Sequence, residues 1–235
     1  MTHQPRQRRG IVFDLFGTLV AAPTIDDRQA AAREIATVTG ALPCMVEQLL
    51  VESWPQRHDG TLPTLDTLAD YLAVQSGAPG SASKLARLLA SQAASRLEAD
   101  DGVITALQKL RSHGLRIAVL SDASADIAHA WPRSSLFPLV DFATFSCVAR
   151  SVKPDAGLYE RCVQGLALAA RRLLYCGDGG GDELWGATRA GMRAVRVHRR
   201  GGPGSLAYGE RPWDGPCIPG VEELLGFPLL PEETT

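Results

Sequence analysis

The sequence predicts an α/β fold, a doubly wound parallel sheet with an α-helical segment inserted after its first strand. Three observations predict it. Short apolar runs bounded by Gly or polar residues read as buried parallel strands, among them Gly10-Ile11-Val12-Phe13 and Leu173-Leu174-Tyr175-Cys176. From about residue 101 onward, strand and helix patterns alternate, which is the signature of a parallel sheet. Between the first two strands lie four amphipathic helical segments, enough for a small bundle.

The elements follow in order. After the first strand, Arg28 to Thr39 is an Ala-rich helix closed by Gly40. Cys44 to Ser53 is a second helix, ended near Pro55. Leu65 to Gln75 is a third, with Thr64 or Asp66 as its N-cap. Ser83 to Leu97 is a fourth, set off by the loop Gly77-Ala78-Pro79-Gly80. The core resumes near Asp101 with a helix from Gly102 to Ser112, which His113-Gly114 ends. A strand over Leu115 to Leu120 follows, then a strand at Phe142 to Phe145 and a helix from Gly157 to Leu166. The strand at Leu173, a helix from Glu183 to Ala190 and a strand from Arg193 to Val197 complete the alternation. From Arg199 the chain is rich in Gly and Pro and is expected to wrap the surface, with one short helix near Val221 to Leu225. The expected division is a core of residues 10–20 and 99–226, a helical cap of residues 21–98, and flexible termini at 1–9 and 227–235.

Composition narrows the function classes. A hydrophobic content of 45% with 21% charged residues is ordinary for a globular protein, so no fibrous or disordered class is called for. The net charge of −2 gives no field that would favour nucleic acid or an anionic membrane. No apolar stretch approaches the ~20 residues that span a bilayer, and no apolar h-region in the manner of a signal peptide follows the N-terminal basic residues, so a cytoplasmic location is expected. The five cysteines, Cys44, Cys147, Cys162, Cys176 and Cys217, form no CxxC pair and support neither a zinc site nor a disulfide framework. Only three lysines occur, Lys84, Lys109 and Lys153, in a chain that otherwise uses Arg.

Asp14 is the most informative residue. It stands at the carboxyl end of the first strand, where open α/β sheets place their ligands. Taken alone, an Asp after a strand is most often a turn residue or a helix cap rather than a nucleophile or metal ligand. Three further signals follow in order: Ser121-Asp122 after a strand, Lys153-Pro154, and the acidic loop Gly177-Asp178-Gly179-Gly180-Gly181-Asp182-Glu183 between a strand and a helix.

With these motifs the sequence resembles the haloacid dehalogenase-like (HAD) hydrolase superfamily. Asp14-Leu15-Phe16-Gly17-Thr18-Leu19 resembles its first motif, Ser121 the second, Lys153 the third, and Gly177-Asp178 with Asp182 and Glu183 the fourth. The resemblance covers roughly residues 10 to 226. It implies that the helical insertion is a cap that closes over the active site and selects substrates. It implies Asp14 as nucleophile and Mg²⁺ ligand, the carbonyl of Phe16 as a second ligand, and Asp178 as the main ligand of the fourth motif. Glu183 matches the second acid of that motif by spacing to Gly186-Ala187, with Asp182 as the competing choice. Ser121 would hold a phosphoryl oxygen, and Lys153 would balance the carboxylates and the incoming anion. Backbone N–H groups of Phe16 and Asp122 could complete an oxyanion cradle. Thr18 would order the loop after the nucleophile, and Gly17 would supply backbone freedom there.

One departure matters. Phosphatases of this superfamily carry a second Asp two residues after the nucleophile, and here that position is Phe16. Phenylalanine transfers no proton, so the general acid–base factor of ~10²–10⁴ has no obvious owner. The expected activity is Mg²⁺-dependent hydrolysis of a small phosphate ester by a monomer or homodimer. A metal-independent 2-haloacid dehalogenase using the same Asp14 is the alternative, with Arg33 and Arg57 as candidates for holding a carboxylate. A catalytically weak relative that binds a ligand is the third reading. Phosphonate cleavage would need a cap Lys, and that segment holds only Lys84. Trp54 and His58 could face the cleft from the cap, while Trp185 reads as a packing residue.

Overall fold

The computed structural model describes residues 9–201, 206 and 211–228. Most of the expected flexible termini, residues 1–8 and 229–235, lie outside that range. The strands are β1 (Gly10–Phe13), β2 (Arg116–Ser121), β3 (Phe142–Phe145), β4 (Leu173–Gly177), β5 (Arg193–Val197) and β6 (Cys217–Ile218). All pair in parallel, in the order β3-β2-β1-β4-β5-β6. The chain therefore winds outward from β1 to β3, returns to β4 on the other side of β1, and winds outward again. The β1/β4 boundary is the switch point, where loops leave the sheet to opposite sides and open a crevice at the strand ends.

Alternation along β1 explains the layers. Ile11 and Phe13 face one core cluster and Val12 faces the other, each with no exposed surface. A strand buried on both faces needs an unbroken apolar run, and that is why β1 reads as one. Before β2, the chain forms α1 (Ile25–Thr39), α2 (Pro43–Glu52), α3 (Trp54–His58), α4 (Leu65–Gln75), α5 (Ala82–Arg96) and α6 (Asp101–Ser112). Buried residues of the inserted helices, such as Ile35, Leu72 and Leu85, join the same cluster as Ile11 and Phe13. After β2 come α7 (Ala125–Ala130), α8 (Ser146–Ala149), α9 (Ala156–Leu166) and α10 (Glu183–Arg189). Leu158 and Tyr159 of α9 and Leu184 of α10 pack on the opposite face with Val12.

Differences from the sequence expectation have local causes. Helix α1 begins at Ile25, ahead of Arg28, because Thr24 and Asp27 close a capping box. Thr64, and not Asp66, caps α4, through Thr67. Helix α2 ends at Glu52, ahead of Pro55 as expected, but Pro55 also stands in the first turn of the unexpected α3, where its missing N–H has no partner to lose. Strand β6 is two residues long, too short for a period to show. Arg9 and Phe227, expected in the loose ends, touch the core: the Arg9 carbonyl accepts from the Arg116 N–H at 3.0 Å, and Phe227 packs on the larger cluster. Among the described residues, no single helix is long and apolar enough to cross a bilayer.

Candidate active site

The strand ends on either side of the switch point carry the chemistry. Asp14 follows β1, its N–H bonded to the Cys176 carbonyl of β4 at 2.9 Å. Ser121 closes β2, Asp178 follows β4, and Glu183 opens α10. Lys153 comes from the segment between α8 and α9. Asp122 holds it there: the Lys153 N–H points at both carboxylate oxygens, at 3.0 and 3.2 Å. The turn after Ser121 is held in turn by Ser146, whose Oγ accepts from the Ala123 N–H at 3.0 Å.

Lys153 is the hub of the site. Its Nζ lies 2.5 Å from Asp14 Oδ1 and 2.6 Å from Glu183 Oε2. Glu183 is further held by the Tyr175 hydroxyl at 2.8 Å and the Gly179 N–H at 2.9 Å, and the Tyr159 hydroxyl donates to its carbonyl at 3.0 Å. Asp178 Oδ1 accepts from the Gly180 N–H at 2.9 Å, and Asp178 Oδ2 accepts from Arg199 Nε. Asp14, Ser121, Lys153, Asp178 and Glu183 are all buried.

Burial sets the electrostatics. It pushes Asp14 above the usual carboxylate range, against the pull of Lys153, and the nearby Asp178 adds to the rise. Burial and then Asp14 push Glu183 up to about 8, with Lys153 opposing. Burial lifts Asp122 to about 6. Burial would lower Lys153, but Asp14 and Glu183 outweigh it and hold the ammonium well above its ordinary value.

The donor set fits a hard divalent cation. One carboxylate oxygen from each of Asp14, Asp178 and Glu183 lies within 4.8 Å of the other two. Asp14 Oδ2 is buried without a hydrogen-bond partner among the described residues. A buried, orphaned carboxylate oxygen on a residue clustered with further carboxylates is unfavourable unless a cation joins them. Glu183, with both oxygens already accepting bonds, is better placed to hold Lys153 than to give an oxygen to the ion. Asp182 is not brought into this cluster. Its Oδ1 accepts from the Arg211 N–H at 3.0 Å, and the backbone takes φ 55° at this residue.

The site opens into a cavity of about 890 Å³ between the strand ends and the inserted helices. Phe16 lines it beside Asp14, with the Arg96 guanidinium 4.8 Å from its ring centre. Trp54, Arg57, His58 and Asp126 also line the cavity. His58 stacks on Trp54, and its Nδ1–H donates to the Trp54 carbonyl at 2.7 Å. Burial, then the neighbouring Arg57, lowers His58 to about 3, so the ring facing the cavity is neutral. The Thr18 hydroxyl is buried and pairs with no group among the described residues, Asp14 included. Arg33 does not line the cavity.

Arg199, Arg96, Tyr159 and Tyr175 were missed from the sequence. For Tyr175 there was a signal: a phenol inside an all-buried strand needs a partner for its hydroxyl. Arg199 lies in a Gly-rich stretch with no periodicity, and Arg96 looks like any exposed residue at a helix end.

Fold and site together place a buried acidic cluster at the strand ends of an α/β sheet. A model of the haloacid dehalogenase-like hydrolases matches residues 9–191, and the chain belongs to that family. It is 32% identical to the enolase-phosphatase E1 of Frankia alni over 128 residues, 53% of this chain and 51% of that protein. The chain thus spans about half the length of that curated relative. An HAD phosphatase from Thermococcus onnurineus superposes with a TM-score of 0.65 at 15% identity, over 93% of this chain and 96% of the other. A 2-haloacid dehalogenase from Pseudomonas syringae pv. Tomato DC3000 gives 0.66 at 21% identity, over 94% and 97%. Identities this low speak for the fold alone.

Proposed function

We propose that this HAD-family hydrolase is a Mg²⁺-dependent phosphatase acting on a small phosphate ester. The observation that carries this reading is the orphaned, buried Oδ2 of Asp14, a residue whose carboxylate clusters with those of Asp178 and Glu183. Asp14 and Asp178 would hold the ion, with the Phe16 carbonyl as a further oxygen donor. When bound, Mg²⁺ would neutralise charge on the transferring phosphoryl group. The likeness to enolase-phosphatase E1 also favours phosphate chemistry.

The residues of the chain divide the work. Asp14 attacks phosphorus, and a bond from its carboxylate oxygen forms as the bond to the leaving oxygen breaks. The Ser121 hydroxyl donates to a non-bridging oxygen, and the Lys153 ammonium balances the developing charge. Water then attacks the aspartyl-phosphate, releasing inorganic phosphate and restoring the carboxylate. Asp122 orients Lys153 through its backbone N–H. Thr18 packs the loop after the nucleophile.

Hydrolysis of an activated aryl phosphate, with Mg²⁺ or with chelator, tests the reading in wild type and Asp14→Asn. Release that needs Mg²⁺ and is lost in the variant is the expected result. Equal release by both proteins would sink the assignment of Asp14. Turnover of a 2-haloacid in chelator, with no phosphate release, would move the chain to dehalogenase chemistry.

A further inference from the structure

We propose that Arg199 is an internal cation that occupies Asp178 in place of the divalent ion and must yield that carboxylate for the ion to bind. The inference rests on the reading of Asp14 and Asp178 as metal ligands. The family match ends at residue 191, so Arg199 lies beyond it, on the segment that leaves β5.

Three observations place Arg199 in the site. First, Asp178 Oδ1 is taken by the Gly180 N–H, so Oδ2 is the oxygen left to turn toward a cation, and Arg199 Nε donates to it. Second, the segment is pinned. The Arg200 N–H donates to the Gly17 carbonyl at 2.7 Å, and the Arg200 carbonyl accepts from the Ala22 N–H at 2.7 Å. The Arg200 side chain is paired with Asp100 and Glu222. Third, the approach is close: a Cβ on Gly17 would sit 3.2 Å from Arg199 Cγ. A strap held to the nucleophile loop on both sides thus delivers a guanidinium to the candidate metal carboxylate.

Two cations at one carboxylate oxygen repel, and water screens them little in a site where Asp178 is buried and Arg199 is mostly so. The guanidinium therefore lowers the affinity of the ion. Without metal, it keeps Asp178 from standing as a buried, unpaired charge.

The test is calorimetric titration of Mg²⁺ into wild type, Arg199→Met and Arg199→Gln, with thermal unfolding of each in chelator and in saturating Mg²⁺. Arg199→Gln keeps a donor toward Oδ2 without its charge, which guards against a variant that folds poorly. Both variants should bind Mg²⁺ about tenfold tighter or more. Both should melt lower than wild type in chelator and recover in Mg²⁺. Equal or weaker binding by the variants would overturn the role of Arg199 alone. So would a loss of stability that Mg²⁺ does not restore. Absence of binding in all three proteins would overturn the metal reading, and this inference with it.

Discussion

Lys153 Nζ lies 2.5 Å from Asp14 Oδ1, although 139 residues separate the two in the chain. The same ammonium reaches Glu183 at 2.6 Å, so one cation ties the β1 end to the start of α10. Removing it would leave two buried carboxylates facing each other. Lys153→Met should therefore cost ~3–5 kcal/mol of stability above about pH 8, where Glu183 is ionised, the range for breaking a buried pair by removing one partner. Urea unfolding in chelator would measure it. A loss within ~0.5 kcal/mol would show that the carboxylates take up protons and need no counter-charge.

Much of this site was legible in the sequence for a physical reason. A parallel strand is apolar on both faces, so its end is marked by the first polar residue, and Asp14, Ser121 and Asp178 all sit at such ends. Lys153 was legible through order and the scarcity of lysine. The choice between Asp182 and Glu183 was not, because both open a helix after glycines. Only the turn at Asp182, with φ 55°, sends one acid outward and the other in. Arg199 was invisible because its position depends on backbone bonds from Arg200 to Gly17 and Ala22, which leave no periodic trace. Helix α3 was not legible because the Pro55 ring that follows the end of α2 also stands in the first turn of the next helix.

Phe16 stands where related phosphatases keep a proton donor, and the group over its ring is the Arg96 guanidinium. Arg96 can stabilise an anion but gives up no proton. Hydrolysis should therefore depend steeply on the leaving group, fast for acidic phenols and slow for alkyl alcohols. Phe16→Asp should flatten that dependence and speed poor leaving groups, up to the ~10²–10⁴ that general acid catalysis supplies. A series of aryl and alkyl phosphates would measure both slopes. Wild-type rates independent of leaving-group pKa would show that another residue donates the proton.

His58 gives the fold a pH dependence of known sign. Its ordinary value is 6.5, and burial lowers it to about 3 in the folded protein. Between those values the unfolded chain binds one more proton than the folded one, so stability falls as pH falls from 6.5 toward 3. The limiting slope for one proton is about 1.4 kcal/mol per pH unit. Arg57 and Arg96 add to the depression, and Asp126 opposes it. His58→Gln, which can still donate to the Trp54 carbonyl, should remove this part of the slope. Denaturant midpoints at several pH values in that window would compare the two proteins, and parallel curves would refute the assignment.

Gly17 is the position where backbone and site are least separable. Its φ is 86°, in the left-handed region, and a Cβ there would lie 2.3 Å from Asp178 Oδ2. Gly17→Ala therefore meets two costs, the strained φ and a displaced carboxylate. The strain alone should remove ~1–3 kcal/mol of stability. Because the displaced oxygen is the one proposed to face the ion, Mg²⁺ affinity should fall as well. Gly40 supplies the control: its φ is 78°, and a Cβ there meets nothing within 4 Å. Gly40→Ala should lose stability from φ alone and bind Mg²⁺ as wild type does. Calorimetry on both variants separates backbone strain from the site, and equal Mg²⁺ affinity in the two would mean that Asp178 Oδ2 is not a ligand.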